Sequence, residues 1–329
     1  MITLVVPIYN MAQYLPRCVD SLLRQSCRDF EIVLVDDGST DASGAMCDRY
    51  AADHPGHIRV IHKENGGLSS ARNAGIDAAR GEFVIFPDPD DWIEPNYVEA
   101  FLHHQRLYRA DLVCLGHYVD TDDASVPAGS GKETSLLEGA EGQRSLLLGP
   151  RMQGFSWNKL YRLDIIRRFG LRFPDGMGTT EDLYFAYQYL AHCERVCHAP
   201  GLRVYHYYQR DNSTTRSGFT QKKTESIRTY EQIIADCAER DPELAQAAAD
   251  EICTCAVNLL WLFENETERD PEIRRFLLCC IRKHLASYMT SRNYGIGRKV
   301  QTLLAAFCPR VYMHLKNAVQ RRYHNTKSG

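Results

Sequence analysis

At 329 residues the chain is longer than one hydrophobic core usually supports, so its length argues for an α/β domain of about 200 residues carrying a helical appendage. A hydrophobic content of 44% and a charged content of 25% are those of a folded globular protein and exclude a mostly disordered one. Net charge is only −3, but from Ile273 onward there are twelve Lys and Arg and no Asp or Glu, leaving 27 basic against 42 acidic residues ahead of them. The tail is a separate electrostatic object.

Ile2–Pro7 reads as a strand from the outset, with no basic n-region, apolar h-region or small-residue cleavage site, so no secretory leader is expected. No run reaches the 18 to 20 or so apolar residues of a membrane-spanning helix; even Leu277–Ile281 is cut short by Arg282, Lys283 and His284. Twelve cysteines at irregular spacing, without a C-x-x-C, read as reduced and mostly buried thiols of a cytoplasmic protein. Cys193 and Cys197 are the nearest approach to a metal pair, and a zinc site is disfavoured there. In the same compartment the sequons at Asn212 and Asn265 read as chance matches.

Along the chain, Ile2–Pro7, Phe30–Val35, Ile58–His62, Phe83–Phe86 and Leu112–Leu115 are short β-branched runs separated by amphipathic segments. That alternation predicts a parallel, doubly wound sheet. Val119–Glu138 turns to Asp, Ser, Gly, Thr and Pro and reads as a surface loop. Ser156–Phe169 and Thr180–Ala191 read as helices and Arg203–Gln209 as a tyrosine-rich strand; beyond Thr220 helical periodicity covers Ile227–Ala238, Glu243–Phe263 and Ile273–Met289. Residues 1–219 are therefore expected to form the α/β domain and 220–329 a helical region with a basic tail. In that tail Val300, Leu304, Phe307, Val311 and Leu315 draw one apolar stripe decorated by Lys299, Arg310, Lys316, Arg321 and Arg322, with Pro309 set to kink or break it. Two readings stay open: a basic helix packed on the protein by its stripe, or one lying on an anionic membrane surface. A nucleic-acid partner is disfavoured because nothing else resembles a base-reading module.

Ligands of an open parallel sheet sit at the carboxyl ends of its strands, where strand order reverses. The first run ends in Pro7-Ile8-Tyr9-Asn10, the second in Asp36-Asp37-Gly38-Ser39-Thr40-Asp41, and the fourth in Pro87-Asp88-Pro89-Asp90-Asp91-Trp92. Clustered carboxylates repel and raise one another's pKa unless solvated, hydrogen-bonded or neutralised. A divalent ion does the last, and all-oxygen ligands suit Mg²⁺ or Mn²⁺ held by one or two carboxylates with a diphosphate completing the shell. Either acidic turn alone could be a helix N-cap, at Ser39 or Thr40, or ahead of Asn96. The dinucleotide fingerprint and the G-x-x-x-x-G-K-[ST] loop are both missing, which disfavours a dehydrogenase and a P-loop enzyme.

These motifs, with Gly66–Gly75 around Arg72, Trp157-Asn158-Lys159-Leu160-Tyr161-Arg162 and Glu181-Asp182-Leu183, resemble the inverting family 2 glycosyltransferases of GT-A fold over about the first 215 residues. The resemblance implies that Pro7 and Asp37, with their neighbours Tyr9, Asn10 and Asp36, line the nucleoside pocket, that Arg72 lies near the nucleotide, and that Asp88 and Asp90 form the D-x-D element on a Mn²⁺ or Mg²⁺ ion. Asp182 would be the catalytic base, with Glu181 competing for the role on sequence alone. Pro87 and Pro89 depart from the family's usual residues and stiffen the loop, leaving Asp90 as the firmer ligand. The implied donor is a nucleotide sugar, a UDP-sugar being the commonest, and the acceptor a glycan or lipid-linked glycan at the inner face of the plasma membrane. Lys159 and Arg210 are candidate phosphate contacts, and Tyr205, Tyr207 and Tyr208 candidate sugar-stacking rings. The rival readings are a degenerate membrane-surface scaffold and a nucleotidyltransferase making nucleotide sugars.

Overall fold

A computed structural model describes residues 1–129, 131–147, 152–177, 179–210 and 218–327, the side chains of 320–327 excepted. The sequon at Asn212 and the side chains of Arg321 and Arg322 lie outside the described residues. The chain divides into two compact units, Met1–Gly176 with Glu181–Asp211, and Met177–Thr180 with Asn212–Gly329.

In the first unit β1 (Ile2–Ile8), β2 (Phe30–Asp36), β3 (Ile58–His62) and β4 (Phe83–Ile85) alternate with α1 (Leu15–Leu23), α2 (Ser43–Asp53) and α3 (Leu68–Ala78). There follow β5 (Trp92–Ile93), α4 (Tyr97–Tyr108), β6 (Leu112–Asp120), β7 (Ser125–Pro127), β8 (Ser135–Leu137), α5 (Gly139–Leu147), β9 (Lys159–Arg162), α6 (Leu163–Arg168), α7 (Glu181–Leu190) and β10 (Val196–Tyr208). One sheet runs β3-β2-β1-β4-β9-β6-β10-β5, with β7 on β6 and β8 on β10. This is the expected α/β fold with a mostly parallel central sheet: β1 pairs in parallel with both β2 and β4, and β10 with β6. Every residue of β1 and β2 is buried, which is why both read as continuous apolar runs rather than alternating ones.

Strand order steps from β1 to β2 and β3 on one side and then to β4 on the other, so the switch point lies between β1 and β4. Both acidic turns flank it. Gly75 sets how closely α3 approaches: a Cβ there would sit 2.1 Å from Val5 Cγ1, so only glycine lets the helix lie flush on β1.

The sheet also corrects a helix expectation. Ser156–Phe169 is not one helix but the strand β9, antiparallel between β4 and β6, followed by the short α6. Its apolar residues fit a helical pattern, but the gap between β4 and β6 offers backbone partners on both sides, and pairing there overrides propensity. The surface segment 119–138 likewise contributes two short strands, β7 and β8.

The second unit comprises α8 (Glu225–Cys237), α9 (Pro242–Glu264), α10 (Pro271–Thr290), α11 (Ile296–Phe307) and α12 (Pro309–Lys327). Two helix starts carry an Asp cap followed by Pro: Asp241 accepts from Leu244 N at 3.0 Å and Asp270 from Glu272 N at 2.8 Å. Ile227, Ile252, Leu260, Phe263, Leu277 and Ile281 form the core. The single tail helix splits at Cys308, with Pro309 opening α12 where its missing N–H costs nothing. The tail does pack on its own unit, but by a partly different stripe: Thr302, Ala305, Ala306 and Tyr312 are buried and Leu304 packs against the core, whereas Val300, Phe307, Val311 and Leu315 are exposed. Among the described residues no helix is long and apolar enough to cross a membrane. All twelve cysteines are free thiols, seven of them buried.

Candidate active site

Two loops meet at the ends of β1 and β2. Asn10, at a positive φ of 53°, accepts through Oδ1 from Thr40 N at 2.8 Å and Asp41 N at 3.3 Å, while its own N–H donates to Ser39 Oγ at 3.1 Å. Asp41 Oδ2 accepts from Ala12 N at 3.1 Å. Asp36 accepts from Ser39 N at 3.0 Å and lies 2.9 Å from His62 Nδ1; burial opposes its charged form, but these bonds hold the carboxyl below its usual pKa. Asp37 receives Gly66 N at 3.0 Å, Gly67 N at 2.7 Å and Lys63 Nζ at 2.5 Å. Gly38 needs its φ of +73°, and a Cβ there would meet Asn65 N at 2.9 Å. Neither Ser39 nor Thr40 caps a helix, since α2 begins only at Ser43. The turn is a clasp between loops, and Asp36 and Asn10 face protein partners within it. Tyr9 stands exposed at its rim, and Pro7 is inside β1 opposite Val35.

The second acidic turn divides by residue. Asp91 is buried and accepts from Tyr205 Oη at 2.6 Å and Tyr208 N at 2.8 Å, and its pKa is driven well up by burial and by Asp90 and Asp88. Tyr205 Oη also receives the Asp88 N–H at 3.1 Å, so one phenol anchors both ends of the turn to β10. Asp90 pairs through Oδ2 with Arg210 Nε at 2.7 Å. Its main-chain oxygen accepts from Arg17 Nη2 at 2.8 Å, while the Arg17 guanidinium stacks 3.9 Å from the Trp92 ring centre.

Arg72 joins these strand ends to α7. It is 1% exposed and projects from α3 to donate to Asp88 Oδ1 at 3.1 Å, to Glu181 Oε1 at 3.2 Å and to Asp182 Oδ1, with the Phe173 ring 5.2 Å from its guanidinium. Asp182 Oδ2 takes two further bonds, from Ser156 N and Ser156 Oγ, both at 3.0 Å. A carboxylate has about four lone-pair sites, so among the described residues the three bonds leave Asp182 one acceptor position, on Oδ1. Glu181 is buried more deeply, and its Oε2 has no hydrogen-bond partner among the described residues. Burial and the neighbouring Asp182 push its carboxyl up to about 7 against the pull of Arg72. Burial likewise lifts Asp88 to about 7, with Arg72 opposing and the charges of Asp90 and Asp182 adding.

Several sequence expectations are redistributed. Arg72, expected near the nucleotide, is held by the carboxylates of Asp88, Glu181 and Asp182. Lys159 is fully buried and donates to Gln153 O, to Phe155 O at 2.6 Å and to Asn158 Oδ1 at 2.9 Å, so it is no phosphate contact. It folds the loop that presents Ser156. Tyr205 is no sugar platform either, being buried and stacked 4.2 Å from Trp157. Ser156 escaped the sequence reading because a lone serine carries no pattern.

A family model for Glycosyl transferase family 2 matches residues 3–169. The chain belongs to that family. EpsH of Bacillus subtilis (strain 168) is 38% identical to this family 2 chain over 197 residues, 57% of the chain and 55% of EpsH, so the chain spans little more than half of that relative. Among solved structures, S. aureus TarS 1-349 in complex with UDP-GlcNAc superposes with a TM-score of 0.64 at 18% identity, over 87% of this chain and 89% of that one. The mannosyltransferase PcManGT from Pyrobaculum calidifontis, in complex with GDP-Man and Mn²⁺, matches with a TM-score of 0.53 at 16% identity, over 99% and 82% of the two chains. Both share the fold.

The residues at the switch point fit a divalent cation. Asp88, Asp90, Glu181 and Asp182 crowd around Arg72 and Arg210 with Asp91 buried beside them, and burial and mutual repulsion raise the pKa of Asp88, Asp91 and Glu181, a crowding that a divalent cation would relieve. Among the described residues no three potential ligands already form a cage. A donor set of one or two carboxylates is the one that Mg²⁺ or Mn²⁺ accepts when phosphate oxygens fill the other positions.

Proposed function

We propose that this family 2 member is an inverting glycosyltransferase that moves a sugar from a nucleotide diphosphate donor, a UDP-sugar first, to a hydroxyl of a glycan or lipid-linked glycan. The observation that carries this reading is the Arg72 node, which brings the D-x-D turn and the Glu181-Asp182 pair to one guanidinium at the switch point. Asp90, assisted by Asp88, would hold Mn²⁺ or Mg²⁺, which when bound stabilises the leaving diphosphate as a Lewis acid. Pro7, Tyr9 and the clasp closed by Asp37 would form the nucleoside side of the pocket.

Breaking the anomeric C–O bond builds negative charge on the leaving oxygen, and preorganised charge is the usual remedy. The acceptor hydroxyl attacks the opposite face, and its proton passes to the open position on Asp182 Oδ1. Ser156 and Arg72 fix that carboxylate in one rotamer, so its orientation is set before substrate arrives. One displacement inverts the anomeric centre. The protein would act in the cytoplasm, at the inner face of the membrane where a lipid-linked acceptor is presented. The family membership and the occupied Asp88, Asp90 and Asp182 positions favour this over the scaffold and nucleotidyltransferase readings.

Isothermal titration of UDP with and without Mn²⁺, on the wild type and on Asp90→Ala, tests it. Metal-dependent binding that the variant loses is expected. Metal-independent binding, or no binding of UDP or GDP in either condition, would overturn the donor assignment.

A further inference from the structure

We propose that the outer face of α11 and α12 is a docking surface for an anionic lipid bilayer, with Ile296, Val300, Leu303, Phe307, Val311 and Leu315 entering the boundary between headgroups and acyl chains. These residues follow one another at spacings of four, three, four, four and four, so they form one side of each helix, and every one is exposed, Ile296 by 81% and Phe307 by 62%. The opposite side is already occupied, since Thr302, Ala305, Ala306 and Tyr312 are buried, the last three within the core of the second unit. The helices therefore fold onto their own unit with one face and leave an apolar face exposed, touched among the described residues by the Arg282 guanidinium 5.8 Å from the Phe307 ring centre. Contiguous exposed apolar surface of this extent marks an interaction site.

Charge decides what covers it. Arg292, Arg298 and Arg310 are exposed on the same helices and the turn before them; Glu251 and Glu264 of α9 lie near Arg298 and Arg310, but the helices themselves carry no Asp or Glu, nor does any residue from Ile273 to Gly329. A second copy of this face would bring two cationic surfaces together. An anionic bilayer instead supplies hydrocarbon for Phe307 and its neighbours and phosphate for the arginines, the pairing that interfacial helices use. Polybasic segments gain further from the negative potential of a lipid surface. The break at Cys308 lets two short helices, rather than one rigid rod, follow the plane. The proposal rests for its purpose on the reading of the acceptor as membrane-presented, but its test is independent of glycosyl transfer.

The 329-residue chain is sedimented with vesicles of phosphatidylcholine alone and of phosphatidylcholine with phosphatidylglycerol. The wild type is expected to pellet with the anionic vesicles, weakly or not at all with the neutral ones, and less as salt rises. Phe307→Glu with Val311→Glu should weaken partitioning by about tenfold or more. Arg298→Gln and Arg310→Gln should each weaken it by about fivefold, and these keep the test alive if the glutamate variant does not fold. Wild-type protein left in the supernatant with anionic vesicles would overturn the proposal, as would a glutamate variant that pellets like the wild type. A wild-type dimer on size exclusion that the glutamate variant dissociates would assign the face to a second copy instead. UDP titration is expected to be the same in all these proteins; its failure in the wild type would strike the donor reading and leave the vesicle result standing.

Discussion

The chain carries two acidic turns that look alike in sequence, and they do opposite things. In the first, after β2, Asp36, Asp37 and Asp41 accept backbone N–H groups from Ser39, Gly66, Gly67, Ser43 and Ala12, and Lys63 and His62 add side-chain partners to Asp37 and Asp36. In the second, Asp88 and Asp90 meet arginine side chains rather than amides, and the nearby Glu181 keeps an oxygen with no hydrogen bond among the described residues. Backbone donors cannot leave when a ligand arrives, whereas ion pairs can be exchanged for a metal or a phosphate.

Substitutions can break that contrast from either side. The largest effect is expected for Asp182→Asn, which keeps the shape and the Ser156 contacts but removes the proton acceptor: turnover of an accepted donor should fall by on the order of 10³-fold or more, with UDP affinity unchanged by titration. Next is Arg72→Met. It leaves Asp88, Glu181 and Asp182 without their shared cation, and denaturant unfolding should show a loss of about 3–5 kcal/mol, the cost of stranding buried charge. Asp37→Ala strikes the first turn and orphans the Gly66 and Gly67 amides, for a loss of about 2–3 kcal/mol by the same measurement, with little dependence on added Mn²⁺.

The smallest effect sharpens the comparison by pH. Glu181 titrates near 7 when folded and near 4.5 as a free side chain, so the native state binds the extra proton between those values. Stability from this group is therefore present at low pH and is lost as pH rises through about 7. Glu181→Gln should leave Tm at pH 5 almost unchanged and raise it by a few degrees at pH 8, flattening the wild-type slope. An unchanged slope would mean that Glu181 is ionised at all these pH values and that the second turn is no less satisfied than the first.

The frame was legible because its signals are local and repeated. β-branched runs at Ile2 and Phe30 mark strands buried on both faces, the run at Ile58 marks the edge strand beside them, and acidic residues after β2 and β4 mark the turns. Less visible was anything decided by a distant partner. β9 reads as helix until β4 and β6 flank it, and Lys159 reads as a phosphate contact until its amine is found among the carbonyls of its own loop. The tyrosines of β10 point to ligand stacking only while Trp157 and Asp91 are out of view. Ser156 had no signal at all, being one small residue whose role exists only beside Asp182. In the tail the stripe was plain, but whether it packs was a question about the neighbouring face, where Ala305, Ala306 and Tyr312 had already filled the available core.

The Arg72 node has a consequence for how the molecule comes into being. Its partners Glu181 and Asp182 lie 109 and 110 residues downstream, whereas Asp88 is only 16 away. During synthesis Arg72 and Asp88 emerge early and then wait on the order of 5–20 s for α7 at ordinary elongation rates. Through that interval the parallel half of the sheet can form, but Asp182 is not yet attached to it. The proposed base is thus among the last parts of its own unit to be delivered, and a nascent chain stalled before residue 181 would lack both it and β10, whose Tyr205 anchors the second acidic turn.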